Sequence, residues 1–394
     1  MKRNEVVRWS VSAMIVASLL FVSASWIHAQ ESAEFIPLGV TCGPAFMPTF
    51  CAVDLSGDGQ TVLTRAGLWT EADGLMPISG PTDGWESIAL SDDGTTVVGN
   101  VRKTDEPLGS RTEAAKWLGG SEWLALGGLP NTSPCGSSYT SAYDVSGDGT
   151  EIVGLAWIGM SCVGSAHGFN WNESDGMTDL GALVDGRASR VNAISADGMT
   201  RVGWSDTEFG SRLGAIWDEN GLRWFEGPDS ANYVGEAHGV NSDGTIVVGG
   251  GYSRLGDPNS YFEAWVWREE TGVVSLGPAR GLRGDVVDGQ NLARDLSDDG
   301  SVIAGQTTMF LLGQQWAWIW TEANGMEMLQ DYLRRLGDDD VRSIVCESDR
   351  SSLGPACTGW DFWNVAAVSN DGSVIVGTGR NPDGLWEAFM IRTR

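Results

Sequence analysis

Basic residues are scarce in this chain. Its 394 residues include 25 lysines and arginines against 52 aspartates and glutamates, which gives a formal net charge of −27. A field of this sign repels nucleic acid and anionic lipid, so the overall charge excludes both as electrostatically held partners. The acidity favours solubility in a salty exterior, with calcium affinity as the alternative interpretation.

Histidine and recognisable catalytic motifs are also rare. The chain has three histidines, no GxSxG, Walker or HExxH motif, and six cysteines without CxxC or zinc-finger spacing. These absences favour a protein that is not an enzyme and predict no cofactor. They leave open a carbohydrate-active hydrolase or lyase, because carboxylates that converge from distant segments need no local motif.

Long apolar runs are absent apart from one stretch, Trp9 to Ile27, which follows a basic N-terminus and leads to Ile27-His28-Ala29. This pattern predicts a signal peptide over residues 1–29. An uncleaved anchor is the alternative, because about 19 uncharged residues just span a bilayer. Cleavage removes three basic residues and one acidic residue, so −27 becomes −29. A secreted, periplasmic or cell-surface location is expected for residues 30–394.

A turn of the form Ser-x-Asp-Gly, with asparagine in place of serine in one copy, recurs seven times in the rest of the chain. Asp-Gly between two apolar runs favours a hairpin, because both residues tolerate positive φ. After most copies a β-branched run ends on glycine, as in Ile246-Val247-Val248-Gly249, which is typical of a strand. The copies are Ser56-Gly57-Asp58-Gly59, Ser91-Asp92-Asp93-Gly94, Ser146-Gly147-Asp148-Gly149, Ser195-Ala196-Asp197-Gly198, Asn241-Ser242-Asp243-Gly244, Ser297-Asp298-Asp299-Gly300 and Ser369-Asn370-Asp371-Gly372.

A second module follows each hairpin. It contains a strand with tryptophan at a fixed place, then a polar turn and a last short strand such as Val273-Val274-Ser275-Leu276-Gly277. A large aromatic at the same place in every repeat indicates packing between neighbouring sheets rather than ligand binding. The recurring residues are Trp69, Trp117, Trp171, Trp217, Trp267 and Trp320, with Ile391 in the seventh repeat.

Each repeat, called a unit below, therefore predicts four short antiparallel strands, A to D. The 365 residues that follow the leader give about 52 residues per unit, which suits a propeller blade. The predicted fold is all-β, a seven-bladed β-propeller of four-stranded antiparallel blades in a single domain over residues 30–394. The blades are expected near residues 51–80, 85–130, 140–184, 190–228, 234–280, 290–333 and 363–394, the last completed by residues 34–39.

The two ends of the chain predict how the ring closes. The seventh unit stops after its third strand, Glu387 to Arg392, and an orphan strand, Glu34 to Gly39, precedes the first unit. We expect this N-terminal strand to complete the last blade, so that one sheet joins both ends of the chain.

Topology sorts the loops onto two faces. The regular A–B and C–D turns share one face, called the plain face, and the B–C and D–A loops share the other, called the elaborated face. Long insertions belong to the elaborated face, where loops carry function on a rigid support. They are residues 100–112, 155–166, 204–213, 250–262, 306–315 and 331–363.

All six cysteines lie in elaborated-face loops, and an exported protein can oxidise them. Six cysteines allow fifteen connectivities. Pairing between sequence neighbours is the expectation, because each pair closes a short loop: Cys42 with Cys51, Cys135 with Cys162, and Cys346 with Cys357.

The repeats resemble the HAF-type extracellular repeat family, named for a His-Ala-Phe-like segment. That segment occurs here as His167-Gly168-Phe169-Asn170-Trp171, Glu263-Ala264-Trp265-Val266-Trp267 and Glu387-Ala388-Phe389, and the longest similar stretch runs from Trp360 to Gly384. The segment from Arg342 to Thr358 departs from the pattern. The resemblance implies export and repeat architecture, and it transfers no activity.

Aromatic residues outside the repeat positions are the candidates for ligand contact. Exposed rings on the elaborated face can stack on sugars or hold a peptide, although loop aromatics also serve to fix long loops. His238 is a further candidate because it lies on a first strand near the axis, whereas His167 belongs to the repeat motif. The aromatic candidates are Trp157, Trp204, Tyr252, Tyr261, Phe262, Trp360 and Trp363.

The spacing from Asp54 to Asp58 resembles the first half of a calcium loop, and it recurs from Asp144 and from Asp295. Position twelve of such a loop, which supplies a bidentate glutamate, is Arg65 here. We therefore expect hairpin structure at these turns, with a calcium-binding surface protein kept as an alternative. The sequence favours an exported binding or scaffolding module with a carbohydrate or protein ligand, and it leaves the oligomeric state open.

Overall fold

Short antiparallel hairpins form almost all of the structure. The computed structural model describes residues 32–43, 50–80, 86–102, 112–132, 139–159, 166–227, 232–254, 262–280, 289–309, 314–337, 339–345 and 359–393. The signal-peptide prediction for residues 1–29 lies outside the described residues. No helix in the described ranges is long and apolar enough to cross a membrane.

Five sheets have four strands each. The first contains β1 (Ala33–Thr41), β29 (Trp386–Thr393), β28 (Val374–Arg380) and β27 (Asp361–Val368), in that order across the sheet. The others run in chain order: β2 (Ala52–Leu55), β3 (Thr61–Thr64), β4 (Gly67–Thr70) and β5 (Gly74–Pro77); β6 (Glu86–Leu90), β7 (Val97–Arg102), β8 (Thr112–Gly119) and β9 (Glu122–Ala125); β10 (Thr140–Val145), β11 (Ile152–Trp157), β12 (Ala166–Asn172) and β13 (Gly176–Asp179); β14 (Ser189–Ile194), β15 (Arg201–Asp206), β16 (Arg212–Asp218) and β17 (Gly221–Trp224).

A nine-stranded sheet holds the remaining strands. Two four-stranded meanders join in it through one bridge, between Gly250 and Leu292, and a short additional strand pairs with β20. The strands are β18 (Asn232–Tyr233), β19 (Ala237–Val240), β20 (Ile246–Arg254), β21 (Glu263–Arg268) and β22 (Gly272–Ser275), then β23 (Gln290–Leu296), β24 (Val302–Met309), β25 (Gln314–Thr321) and β26 (Gly325–Met328). The prediction of an all-β chain with four-stranded antiparallel sheets is thus confirmed, whereas the merging of units five and six into one sheet was not expected.

The N-terminal strand pairs with the last strand of the chain. Phe35 lies opposite Ile391 and Ala33 opposite Thr393 in the antiparallel β1–β29 ladder. Cys42, which follows β1, forms a disulfide with Cys51, which precedes β2, as the cysteine spacing predicts. The other four cysteines lie outside the described residues.

A β-bulge interrupts the first hairpin of every unit. In unit three, Ala142 pairs with Gly154 and Asp144 pairs with Val153, so Tyr143 has no opposite residue. A bulge bends its strand and re-aims the extra side chain. The seven bulged residues are Val53, Ile88, Tyr143, Asn192, His238, Arg294 and Ala366.

The glycine that ends each β-branched run makes room for this bulge. A Cβ on Gly154 would lie 2.0 Å from the carbonyl oxygen of Ser141, and a Cβ on Gly305 would lie 2.0 Å from that of Leu292. Glycine in a strand often marks a close approach of another backbone. At these two positions the close approach leaves no room for a side chain, whereas unit one has the same bulge with Thr64 at the equivalent position.

Each Ser-x-Asp-Gly turn is fixed by its own side chains. The Ser146 hydroxyl donates to Asp148 Oδ1 at 2.8 Å, and the N–H of Glu151 donates to Ser146 Oγ at 2.9 Å. Such bonds satisfy the turn's polar groups locally. Hairpin structure, rather than a calcium loop, accounts for the serine and aspartate of the motif.

The seven turns are also hydrogen-bonded to one another in chain order. The last bond runs from the N–H of Asn370 in the seventh turn to the carbonyl of Gly57 in the first, at 2.9 Å. The other six run from the N–H groups of Gly57, Asp93, Gly147, Asp197, Ser242 and Asp298 to acceptors on Asp92, Gly147, Ala196, Ser242, Asp298 and Asn370, in that order.

Recurring aromatics lie between neighbouring sheets. Trp267 of unit five is buried and packs on Phe225 of unit four, with ring centroids 5.4 Å apart. Trp217 is also buried, and its indole N–H donates to the carbonyl of Leu180 in unit three at 3.0 Å. These contacts give the tryptophans the structural role that their regular spacing indicates.

Two helices were not predicted. Helix α1 (Leu329–Leu336) and helix α2 (Asp339–Ile344) occupy the start of the insertion at residues 331–363, which the sequence pattern suggested would be irregular. Leu329 and Leu333 are fully buried against the last units. The absence of repeat motifs in this insertion left its amphipathic pattern unrecognised.

Candidate functional site

The bulged residues meet around a cavity of 240 Å³, called the inner cavity, which the first strands of all seven units line. One side chain from each bulge contributes to its wall. Val53, Ile88 and Ala366 are apolar, whereas Tyr143, Asn192, His238 and Arg294 carry hydrogen-bonding groups. The bulges therefore place a small set of polar groups at one site although they are far apart in sequence.

Three carboxylates lie at the part of the cavity nearest the turns. Each accepts the N–H of the residue that follows it and an N–H from the next unit. Asp54 Oδ2 accepts from Leu90 at 2.7 Å. The matching bonds are Ile194 N–H to Asp144 Oδ2 at 2.8 Å and Val368 N–H to Asp295 Oδ2 at 2.7 Å.

These carboxylates are enclosed by protein, although water in the cavity can reach part of their surface. Burial is the main cause that raises the pKa of Asp144 to about 7 and that of Asp295 to about 6. Burial and the charge of Asp144 also raise the pKa of Asp54 well above its usual value. The hydrogen bonds from main-chain N–H groups oppose these shifts because they favour the ionised form.

Arg294 and His238 also line the inner cavity. Burial lowers the pKa of Arg294, and the neighbouring charge of Arg190 lowers it further. Burial and the charges of Arg294 and Arg190 hold the pKa of His238 well below its usual range, so the imidazole is neutral at pH 7. The wall of the cavity thus carries a guanidinium as well as carboxylates.

A groove of 640 Å³ lies beside the inner cavity, on the elaborated face of units two to four. Tyr143 and Ile88 line both the groove and the inner cavity. Trp157 and Trp204 lie on neighbouring second strands and line the groove together. Two of the predicted aromatic candidates are therefore brought to one site.

Arginine guanidinium groups cover the ring of Trp204. The Arg212 carbon Cζ is 4.2 Å and the Arg190 Cζ 5.5 Å from the ring centroid, within the range of cation–π contacts. Glu236 holds both arginines, with N–O distances of 2.6 Å to Arg212 and 2.9 Å to Arg190. Trp204 is 4% exposed, which leaves the half-buried Trp157 as the ring available for stacking.

Two buried polar atoms in the groove lack a hydrogen-bond partner among the described residues. They are Nε1 of Trp204, a donor, and Oδ1 of Asp206, an acceptor. Burial raises the pKa of Asp206, although the positive charges of Arg212 and Arg187 act to lower it. Buried polar atoms are normally satisfied, so an unpaired donor and acceptor at one place call for an explanation.

Among the other aromatic candidates, those that the structure describes do not line the groove. Trp360 is 4% exposed and packs among Phe35, Phe362 and Phe389, so the expectation of an exposed ring is corrected for it. Trp363 packs edge-on against Trp386, with centroids 5.0 Å apart. Phe262 is 42% exposed and is the one described non-glycine residue with positive φ. Tyr261 and the side chain of Tyr252 lie outside the described residues.

The two histidines within the described residues have different surroundings. His238 lines the inner cavity. The His167 ring nitrogen Nδ1 lies 2.8 Å from Asp179 Oδ1 on the neighbouring strand, which is a structural contact.

Sequence reasoning missed the arginines. Arg190 and Arg294 looked like ordinary polar positions on short strands. The alternation of inward and outward side chains along a strand does not show where a bulge changes the direction of one of them. The recurring glycine on the second strand was the available signal, since it marks the residue opposite the bulge.

Acidic groups do not form a metal centre in the described ranges. No cluster of three or more histidine, cysteine, aspartate or glutamate side chains there is placed to hold a metal ion. The five aspartates that line the inner cavity are instead engaged with main-chain and amide N–H groups, as shown for Asp54, Asp144 and Asp295, and Asn370 Nδ2 donates to Asp92 at 3.0 Å.

No protein-family model matches the chain, and no curated protein sequence matches it. An oligogalacturonate lyase from Vibrio parahaemolyticus covers 92% of this chain and 97% of its own length, with a TM-score of 0.52 and 11% identity. TolB from Acinetobacter baumannii covers 74% of this chain, with a TM-score of 0.42 and 14% identity, and this chain spans 61% of the TolB structure. The β-propeller domain of the trilobed protease from Pyrococcus furiosus covers 78% of this chain and 94% of its own, with a TM-score of 0.39 and 11% identity.

The matched structures are β-propeller proteins, and the similarity to the Vibrio lyase supports the same fold for this chain. The sequence identities between this chain and these structures are 11% to 14%, which is too low to transfer an activity.

Proposed function

We propose that this chain is an exported, closed β-propeller of seven blades that binds a glycan, without turning it over, in the groove of its elaborated face. The β1–β29 pairing and the bond from Asn370 to Gly57 support a ring that joins both ends of the chain. The Cys42–Cys51 disulfide supports an oxidising location, and the leader pattern and the HAF-type resemblance agree with it.

The choice of a glycan as the ligand rests on the unpaired donor and acceptor in the groove. A sugar hydroxyl is both a donor and an acceptor, so it can satisfy Trp204 Nε1 and Asp206 Oδ1 once the Arg190 and Arg212 side chains that cover the Trp204 ring move aside. The half-buried Trp157 offers an aromatic surface for a sugar ring in the same groove. A peptide also supplies donors and acceptors, but the aromatic surface of Trp157 beside polar groups favours a sugar ring with its hydroxyls.

Binding to a glycan panel, followed by calorimetry on the best ligand, tests the proposal. Trp157→Ala and Asp206→Asn are expected to weaken binding at least tenfold while the melting temperature stays within a few degrees. Trp224→Ala is the matched control, because Trp224 is 48% exposed on the outer strand β17 and does not line the groove.

Several outcomes contradict the proposal. Folded wild-type protein that binds no glycan removes the carbohydrate assignment, and so does binding that the two groove variants leave unchanged. Release of shortened or unsaturated products from the bound glycan would establish the enzymatic alternative in place of a binding module.

A further inference from the structure

Arg294 contributes to the walls of two cavities. It lines the inner cavity and also a second cavity of 370 Å³, called the rim cavity, on the elaborated face beside unit one. Ile88 and Tyr143 line the inner cavity, the rim cavity and the groove alike. A molecule in any of the three is therefore close to the wall that Arg294 helps to form.

The guanidinium of Arg294 makes no hydrogen bond and no ion pair with any residue that the structure describes. Glu236 is the acidic residue whose charge acts on it, but the two oxygens of Glu236 are held by Arg190 and Arg212. The aspartates of the inner cavity are engaged with main-chain N–H groups of their own and the next unit. Arg294 is half-buried, so water in the cavities is what solvates its guanidinium, and a carboxylate would supply the partner that the described residues do not.

We propose that Arg294 is the anion-binding residue of the inner cavity and receives the carboxylate of a ligand. The planar fork of a guanidinium matches the two oxygens of a carboxylate. We assign a monoanion, because the aspartates that also line the cavity repel a dianion such as phosphate more strongly than a carboxylate, and the neutral His238 adds no positive charge.

Two sources can supply this carboxylate. A small organic acid fits the 240 Å³ of the inner cavity as an independent ligand. An acidic sugar in the groove can instead turn its carboxylate toward Arg294 past Tyr143, and this second source rests on the glycan-binding function proposed above.

Calorimetry and thermal shift on the full mature chain test the assignment, with three probes at matched ionic strength: sodium acetate, a uronic-acid oligosaccharide and a neutral oligosaccharide of the same length. We expect acetate or the uronate to bind and to raise the melting temperature relative to sodium chloride. Arg294→Met is expected to weaken that binding at least tenfold. Arg65→Met, which removes a guanidinium from the exposed edge of the rim cavity, is expected to change it less than twofold.

The stability of the ligand-free variant gives a second readout. Arg294→Met removes an enclosed unpaired charge and keeps most of the side-chain volume, so its melting temperature in chloride is expected to equal or exceed that of the wild type. A purely structural arginine predicts a lower melting temperature, and that result overturns the proposal.

The three probes separate this proposal from the preceding one. Acetate binding that depends on Arg294 supports the anion site even when no oligosaccharide binds. Preference for the uronate over the neutral oligosaccharide, lost in Arg294→Met, assigns the carboxylate to the glycan. Binding of the neutral oligosaccharide alone overturns the anion site and leaves the groove proposal standing.

Discussion

Asp144 of unit three accepts the main-chain N–H of Ile194 in unit four at 2.8 Å. Asp54 and Asp295 make the same contact with the units that follow them, and in all three cases the next unit has alanine at the equivalent position: Ala89, Ala193 and Ala367. An aspartate therefore bridges two units where its neighbour leaves space for it.

Asp144→Ala is expected to destabilise the fold. The substitution leaves the buried N–H groups of Val145 and Ile194 without this acceptor, and each unsatisfied group costs about 1–3 kcal/mol. Urea unfolding measures the loss. Asp383→Ala, at an exposed turn, is the control and is expected to stay within about 0.5 kcal/mol of the wild type. Equal effects of the two substitutions would remove the bridging role.

The buried aspartates Asp144 and Asp295 are expected to make the fold less stable as the pH rises from about 4 to about 7. Their pKa is raised on folding, to about 7 for Asp144 and about 6 for Asp295, so the folded state binds more protons than the unfolded chain in this range. The contribution is complete below the unfolded pKa and is lost as the pH passes the folded value. Melting temperatures between pH 4 and pH 8 measure it.

Asp144→Asn with Asp295→Asn is the matched control for this dependence. The double variant is neutral at every pH and is expected to flatten the curve between pH 4 and pH 7. A wild-type stability that rises across that range would show that the main-chain hydrogen bonds outweigh burial and keep the carboxylates ionised.

Gly154→Ala is expected to cost more than about 3 kcal/mol, because the added Cβ would lie 2.0 Å from a main-chain oxygen that only a backbone shift can move. Thr64 is the equivalent residue of unit one and already carries a Cβ. Thr64→Ala is therefore the comparison, expected to cost about 1 kcal/mol for the lost hydroxyl bond to Gly67. Equal costs would mean that the glycine is not required by the bulge.

Loss of the Cys42–Cys51 disulfide is expected to lower the free energy of unfolding by about 2–3 kcal/mol, as estimated for a loop of this length. The bond links the end of β1 to the start of β2, and the two cysteines are 9 residues apart. Denaturation with and without reductant measures the loss, and Cys42→Ala with Cys51→Ala should reproduce it. A larger loss on reduction than in the double variant would point to further disulfides outside the described residues.

Local chemistry made much of the fold predictable. The Ser-x-Asp-Gly turns satisfy their own polar groups within five residues, so their seven copies identify the hairpins without tertiary information. The tryptophans recur at the same place in most units, and this regularity predicts that they pack between sheets. The helices α1 and α2 escaped because they occur once, in an insertion that shares no pattern with the repeats.

The candidate site was only partly predictable. Trp157 and Trp204 stood out as aromatics away from the repeat positions, and they line one groove. Trp360 stood out for the same reason but is buried, because exposure depends on what packs above a ring and not on its place in the sequence. Arg190 and Arg294 gave no signal at all.

The sequence by itself determined the repeat, the strands and the pairing of nearby elements, because hairpins and short disulfide loops depend on residues close together in the chain. The tertiary structure decided which side chains share a cavity. Seven bulges turn one residue from each first strand toward a common space, and the chemistry of that space depends on residues that are up to about 300 positions apart. Arg294 and Asp144 acquire their roles only there, where burial and neighbouring charges act on them.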